Sequence, residues 1–443
     1  MNDFVSMAYL TWRMPPPGRD RGPIFAMSTT LADRVALPGQ DRVETPYIER
    51  GTAEFLRASI ALFCAGLATF TLLYCTQPLL PVFSREFGIS AAAASLSISL
   101  PSIALAFGTL IASSLSESFG RKPLMVGAVF GSAGLTLVSA FAPSWESFLV
   151  LRTLQGLVLA GLPAAAIAYL AEEVHPRSIG LAVGLYISGN ALGGMAGRVG
   201  TGLLSDLTSW HVAMGGMGVF GLLTALVFLL NLRPSRHFRP RPLNIAGLAQ
   251  GFAVHLREPG LRALFLVGAM LMGGFVTVYN YIGYHLLADF GLSQSWVGLV
   301  FTVYVVGILA STFIGGLADR LGRARIFWIN LVVVLAGLGV LLLPSVGGAV
   351  AGLAIFTLGF FGAHSIANAW VGRRALQAKA QASSLYLFAC YGGSSVIGTI
   401  GGWLLNAYGW PGVVGLVAGC MIVALAAALW LSRLKPLAQP AAS

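Results

Sequence analysis

Twelve apolar stretches, each near the ~20 residues that cross ~30 Å of hydrocarbon, occupy most of this 443-residue chain. They run over about 57–83, 93–115, 123–142, 147–171, 179–203, 211–232, 261–287, 296–318, 325–343, 347–371, 381–405 and 411–432. In lipid a lone strand leaves its backbone groups unsatisfied, and each stretch is too long for a barrel strand, so helices are predicted. The expected fold is an all-α membrane protein with twelve transmembrane helices. Charged residues make up 10% of the chain, against about 25% in a soluble domain. The 55 glycines fit many close helix contacts, because small residues let membrane helices approach one another.

The net charge of +11 invites a nucleic-acid reading until its positions are read. Of 27 Lys and Arg, only Arg85, Arg152 and Arg198 fall in or beside the outer half of the membrane. The other 24 lie in tails and alternate short loops, a positive-inside pattern that predicts both termini in the cytoplasm and no nucleic-acid partner. Cys64, Cys75, Cys390 and Cys420 sit inside apolar stretches without metal-type spacing, so neither disulfides, zinc nor another cofactor is expected. Lys122, Lys379 and Lys435 are the only lysines, none in a phosphate-loop pattern, and no His-Glu-x-x-His occurs. Enzymatic chemistry is not expected.

Two charged turns repeat. Gly315-Gly316-Leu317-Ala318-Asp319-Arg320-Leu321-Gly322-Arg323 crowds ionisable side chains and glycines between two apolar stretches. Ser113-Ser114-Leu115-Ser116-Glu117-Ser118-Phe119-Gly120-Arg121-Lys122 has the same order of carboxylate, two residues, Gly and Arg, shifted by 202 (319 minus 117). Phe87-Gly88-Ile89-Ser90 matches Phe290-Gly291-Leu292-Ser293 at a shift of 203, and Leu185-Tyr186 matches Leu385-Tyr386 at 200. Near-constant shifts predict two parallel six-helix repeats entering the membrane in one orientation. The expected parts are a disordered tail (1–55), a first bundle (56–232), a linker with a surface helix (233–260), a second bundle (261–433) and a tail (434–443). Met27 is a second candidate start. Trp145, Trp210, Trp296 and Trp410 fall near outer ends, where belt tryptophans are expected.

Four motifs carry a family resemblance over nearly all of residues 55–435. They are the loop Gly315-x-Leu317-x-Asp319-Arg320-x-Gly322-Arg323, Leu149-Val150-Leu151-Arg152-Thr153-Leu154-Gln155-Gly156, Gly189-Asn190-Ala191-Leu192-Gly193-Gly194, and Tyr74-Cys75-Thr76-Gln77-Pro78-Leu79-Leu80-Pro81. The chain resembles the major facilitator superfamily, and more narrowly the YnfM-like bacterial inner-membrane transporters beside the drug:proton antiporters and sugar-efflux permeases. The first-half loop departs from the motif at Ser113, Glu117 and Ser118, and Asn190 stands where the antiporter motif has Pro. The resemblance implies alternating access, an inner gate at Glu117, Gly120, Arg121 and Lys122 with Gly315, Asp319, Arg320, Gly322 and Arg323, and proton coupling associated with Arg152. It also implies that the first, fourth, seventh and tenth spans line the route.

The residues themselves add candidates. Arg152 lies within a span, where a cation is costly and faces a cavity, a partner or the headgroups. Gln155 shares its face. No Asp or Glu lies in mid-span, so His364, with Asn368 one turn on, is the titratable candidate, with a packed structural histidine as the alternative. Tyr74, Gln77, Tyr186, Asn190, Asn280, Tyr281, Tyr284, Tyr386 and Tyr391 concentrate where a central cavity is expected, though some will be helix glue. His285 and Asp289 form an expected surface pair near an outer end. The expected function is a monomeric secondary active transporter of the bacterial inner membrane that moves a small organic molecule outward, coupled to protons. A proton-coupled importer or facilitator, and a non-transporting membrane sensor, stay open.

Overall fold

The computed structural model describes residues 47–240, 245–377 and 379–434, so the expectations for the tail before Tyr47, the Met27 start and the last nine residues fall outside the described residues. Eleven helical ranges are long and apolar enough to cross a membrane, and the last breaks at Gly409 (φ 66°), which yields the twelfth span. These are α1 (Ala53–Glu86), α2 (Ala91–Phe119), α3 (Arg121–Ser139), α4 (Trp145–Glu173), α5 (Ile179–Leu207) and α6 (Trp210–Asn231). The second set is α7 (Pro259–Ala288), α8 (Gln294–Ala318), α9 (Arg323–Val340), α10 (Val346–Arg374), α11 (379–408) and α12 (410–433). A further helix, Ile245–Arg257, stands between the sets.

The repeat is visible in the backbone. Gly120 (φ 96°) is the single residue between α2 and α3, and Gly322 (φ 92°) stands between Leu321 and α9. A chain that reverses on one residue needs left-handed φ, which glycine alone adopts without penalty. Helix starts repeat as well: Ser90 and Ser293, then Ser144 and Ser345, each place a hydroxyl on an N–H of the first turn.

Packing within each half rests on small residues. Along α5, an added Cβ at Gly189, Gly193 or Gly197 would meet the carbonyl oxygen of Phe63, Leu67 or Thr71 at 2.3, 2.2 or 2.6 Å. The backbones of α1 and α5 are therefore in direct contact. Gly156 meets the Pro101 carbonyl at 2.1 Å by the same measure, which explains the glycine of the Arg152 motif. The halves meet through α2 against α11 and α5 against α8.

Two local expectations change. Ile48 joins the fold through a short parallel bridge to Val174, with its N–H on Glu173 O (2.8 Å). Trp296 is 58% exposed and fits a belt, but Trp145, Trp210 and Trp410 are buried. Trp145 and Trp210 pack with Phe83 and Phe148, and Trp410 donates to Leu341 O at 2.9 Å. Position in the chain marks depth; it does not mark which way a ring faces.

One end of the molecule carries the charged turns and is here called the basic end. There Glu258 caps α7, accepting from Leu261 N–H (2.5 Å) while Arg374 donates to it at 2.8 Å. Burial opposes the charged form of Glu258, but the Arg374 guanidinium and the Gly260 and Leu261 amides outweigh it and hold the carboxyl below the usual range. A lowered folded pKa adds stability above the unfolded pKa of about 4.3 and loses it as pH falls through the folded value. Glu258→Gln is expected to lower the melting temperature at pH 7, with the gap to wild type closing below about pH 4. An equal gap at both pH values would refute this.

Candidate functional site

The first span cannot continue as one helix, because Pro78 and Pro81 lack the N–H that a helix interior requires. The regular helix ends at Tyr74, and a tighter turn over Gln77–Leu79 follows. Carbonyls of the last turn are left for other donors. Arg152 supplies them: Nη1 donates to Leu72 O (2.9 Å) and Gln155 Oε1, Nη2 to Leu73 O (2.7 Å) and Thr76 Oγ1 (3.4 Å), and Nε to Ser97 O (3.1 Å). Gln155 Nε2 adds a second bond to Leu72 O at 3.0 Å. All five guanidinium N–H groups therefore have acceptors. The cation sits at a helix C-terminus, the favourable end of the dipole. It is fully buried, so it neither snorkels nor presents a free N–H to a cavity.

Arg198 is also fully buried, and its surroundings differ. Its Nε donates to Gln77 Oε1 (2.5 Å) and Nη1 to Gly194 O (2.5 Å), while Nη2 has no partner. The guanidinium lies over the rings of Tyr74 (4.5 Å), Tyr304 (5.0 Å), Tyr279 (5.3 Å) and Phe301 (5.9 Å). Ring quadrupoles attract a cation, which is one way to hold it away from water. The Tyr304 hydroxyl comes near Gly194 and Arg198 but leaves Nη2 without a hydrogen bond. Gln77 Nε2 in turn donates to Asn280 Oδ1 (2.6 Å), so a polar chain runs from α5 through α1 to α7 and crosses between the halves. Among the described residues no carboxylate pairs with Arg198.

The other candidates separate by position. Tyr391 lies within electrostatic reach of Tyr74, Tyr186 and Tyr304, and so belongs with the central group. Asn190 packs its Oδ1 against Gly66 of α1. Tyr281 donates to Gly398 O (2.6 Å) and joins α7 to α11, while Tyr284 donates to Leu80 O (2.8 Å) and pairs with Ser84 (2.6 Å) across the halves. These two are glue. His364 pairs with the Tyr386 hydroxyl (3.2 Å) and stacks on Phe360, whereas Asn368 is exposed. His285 pairs with Asp289 at 2.5 Å, but its ring is stacked on Trp410 and largely covered.

Among the described residues, side-chain hydrogen bonds join the two bundles between mid-depth and the end opposite the basic one. Besides Gln77–Asn280 and Tyr284, they include Gln294 to Pro78 O, Ser295 N to Asp206 (3.2 Å), Ser395 to Ser99 O (2.8 Å) and Thr399 to Ser99 (3.1 Å). Gly202 and Gly298 bring α5 and α8 together there, a built Cβ on Gly202 falling 2.6 Å from Gly298 Cα. That end is sealed.

At the basic end Arg121 forms a two-pronged pair with Glu172 (3.2 and 2.7 Å) and donates to Ser116 Oγ (2.9 Å). Lys122 donates to Leu232 O (2.5 Å). Glu117 is half-buried at the end of α2, Arg320 is exposed, and Arg323 is half-buried with a partner. The placements of Gly315 and of the Asp319 side chain lie outside what is described. Sequence reading missed Glu172, although an acidic pair, Glu172-Glu173, closing a span beside basic loops was an available signal. It also missed Tyr279, Phe301 and Tyr304. Tyr279, Asn280 and Tyr281 are consecutive and point about 100° apart on a helix, so composition cannot say which meets the cation.

The model of the Major Facilitator Superfamily matches residues 59–399 and 264–443. The chain belongs to the Major Facilitator Superfamily. Within it, the chain is 48% identical over 387 residues to the MFS-type transporter YybF of Bacillus subtilis, covering 87% of this chain and 95% of YybF. It is 45% identical over 380 residues to the inner membrane transport protein YnfM of Escherichia coli, covering 86% and 91%. Among solved structures, the inward-facing, unoccupied bacterial homologue of the lysosomal transporter Spinster aligns with a TM-score of 0.67 at 16% identity, over 86% of this chain and 95% of that one. The nucleoside transporter NupG aligns with a TM-score of 0.67 at 15% identity, over 84% and 99%. At such identities the likeness concerns the fold. This is a multi-pass membrane transporter of the superfamily.

Proposed function

We propose that this superfamily member is a secondary active transporter that moves a small organic molecule outward across the bacterial inner membrane, coupled to protons, by rocking two six-helix bundles about a midplane site. The observation that carries the reading is the join at one end: hydrogen bonds tie the halves together from mid-depth to that end, above a buried polar centre at Arg198, Gln77 and Asn280. The positive-inside pattern supports a cytoplasmic location for the basic end and both termini, with the joined end outermost. Maleimide labelling of Arg121→Cys from the periplasmic side of intact cells would reverse that orientation. The name of YnfM as an inner membrane transport protein supports the location. The 4-hydroxybenzoate transporter PcaK of Pseudomonas putida, 29% identical over 290 residues, supports a small organic substrate. His364, paired with Tyr386, is the titratable group assigned to coupling.

Counterflow in proteoliposomes, with and without an imposed pH gradient, tests the assignment; flux that ignores the gradient would sink proton coupling. One observation favours a facilitator instead: among the described residues no carboxylate ion-pairs at the site. At the inner gate, Asp319→Asn removes the carboxylate of the second basic turn and is expected to raise labelling of a cysteine placed at Tyr391 from the cytoplasmic side by several-fold. Unchanged accessibility from both sides would sink the gate.

A further inference from the structure

We propose that Arg198 and Asn280 bind the carboxylate of a small organic anion, and that this selects the transported substrate. The proposal rests on the reading of the chain as a transporter and names the substrate class of its central site.

The argument is a comparison of two buried cations. Arg152 has an acceptor for each of its five N–H groups, so it has no capacity left for a ligand. Arg198 is equally buried but keeps Nη2 without an acceptor, and Nη1 uses a single one. A guanidinium held in the membrane interior without a counter-charge is costly, and such groups mark substrate paths. Aromatic faces and the nearby Tyr304 hydroxyl hold the cation, but they bring no negative charge and leave Nη2 without an acceptor.

Hydrogen-bond polarity points the same way. Arginine can only donate, so Gln77 must turn its Oε1 towards Arg198 and its Nε2 towards Asn280. Asn280 then accepts through Oδ1 and is left with Nδ2, which is buried and without a partner. Both ends of the chain therefore present unused N–H groups, one charged and one neutral. The missing partner has acceptor oxygens and one negative charge. A carboxylate meets both requirements, and its planar pair of oxygens suits a guanidinium. A neutral ligand would leave the cation unneutralised. An amine would meet like-charge repulsion, and a phosphate dianion would bring twice the charge.

The test is a thermal-shift series on the purified full-length protein with matched ligands: benzoate against benzamide, hexanoate against hexanamide, then benzylammonium and inorganic phosphate. A ligand that binds the folded state raises the melting temperature by mass action. The acids are expected to raise it and the other compounds are not. Arg198→Gln and Asn280→Ala are expected to weaken acid binding at least tenfold, and Arg198→Lys to keep the acid preference at lower affinity. The wild-type acid and amide comparison decides the matter should Arg198→Gln fail to fold. Amides or benzylammonium binding as well as the acids, phosphate alone binding, or an acid preference that survives in Arg198→Gln would overturn the proposal. Flux of a neutral or cationic compound that ignores Arg198→Gln would overturn it and leave the transporter reading standing. Absence of both binding and flux across the whole set would overturn both.

Discussion

Arg152→Met is expected to destabilise the protein by about 3 kcal/mol or more, since several buried carbonyls lose their donors at about 1–3 kcal/mol each. The carbonyls of Leu72, Leu73 and Ser97 accept from this guanidinium, and Gln155 alone reaches only Leu72. Lipid supplies no replacement donor at that depth. The break in α1 is held open by those bonds, so its loss also releases Gln77 from its place beside Arg198. Detergent-solubilised protein should melt well below wild type, and Arg152→Lys, with three donors in place of five, should recover only part of the difference. A melting temperature equal to wild type would show that the carbonyls of the broken helix find other partners.

The second large effect is expected at Gly193. A Val there places its Cβ 2.2 Å from Leu67 O, a backbone atom that cannot turn aside, so α1 and α5 must separate. Overpacking of this kind costs about 1–3 kcal/mol. The same separation breaks the bond from Thr71 Oγ1 to Gly193 O (3.0 Å) and carries Tyr74 and Gln77 away from Arg198, so transport should fall more steeply than stability. Gly184 lies on the same helix with nothing within 4 Å of an added Cβ, and Gly184→Ala should leave both readouts near wild type. Equal behaviour of Gly193→Val and Gly184→Ala would refute the close approach of α1 and α5.

These expectations show how much of the candidate site was legible. The Arg152 motif drew attention to a cation inside a span, and the structure does give that residue a special place. It gives it a positioning place, through acceptors on α1 and α2 that are 55 to 80 residues away in the chain. Tyr281 and Tyr284 belong to a set in which both cavity residues and helix glue are expected from sequence, and their hydroxyls bond to backbone carbonyls of neighbouring helices. Tyr279 and Tyr304 went unread, yet they hold Arg198. The polar residue types were found; their directions were not.

The number of spans, the repeat and the two glycine turns could be read from the chain, because each depends on neighbours within one segment. Hydrocarbon thickness sets how many apolar residues a span needs, and a one-residue reversal needs a positive φ wherever it occurs. Which arginine is saturated and which is open depends on how a helix broken by two prolines meets the flanks of α2, α4, α5 and α7. That is settled by donors and acceptors brought together by packing, in a medium without water to satisfy whatever packing leaves unpaired. No property of Arg152 or Arg198 along the chain distinguishes them in that respect.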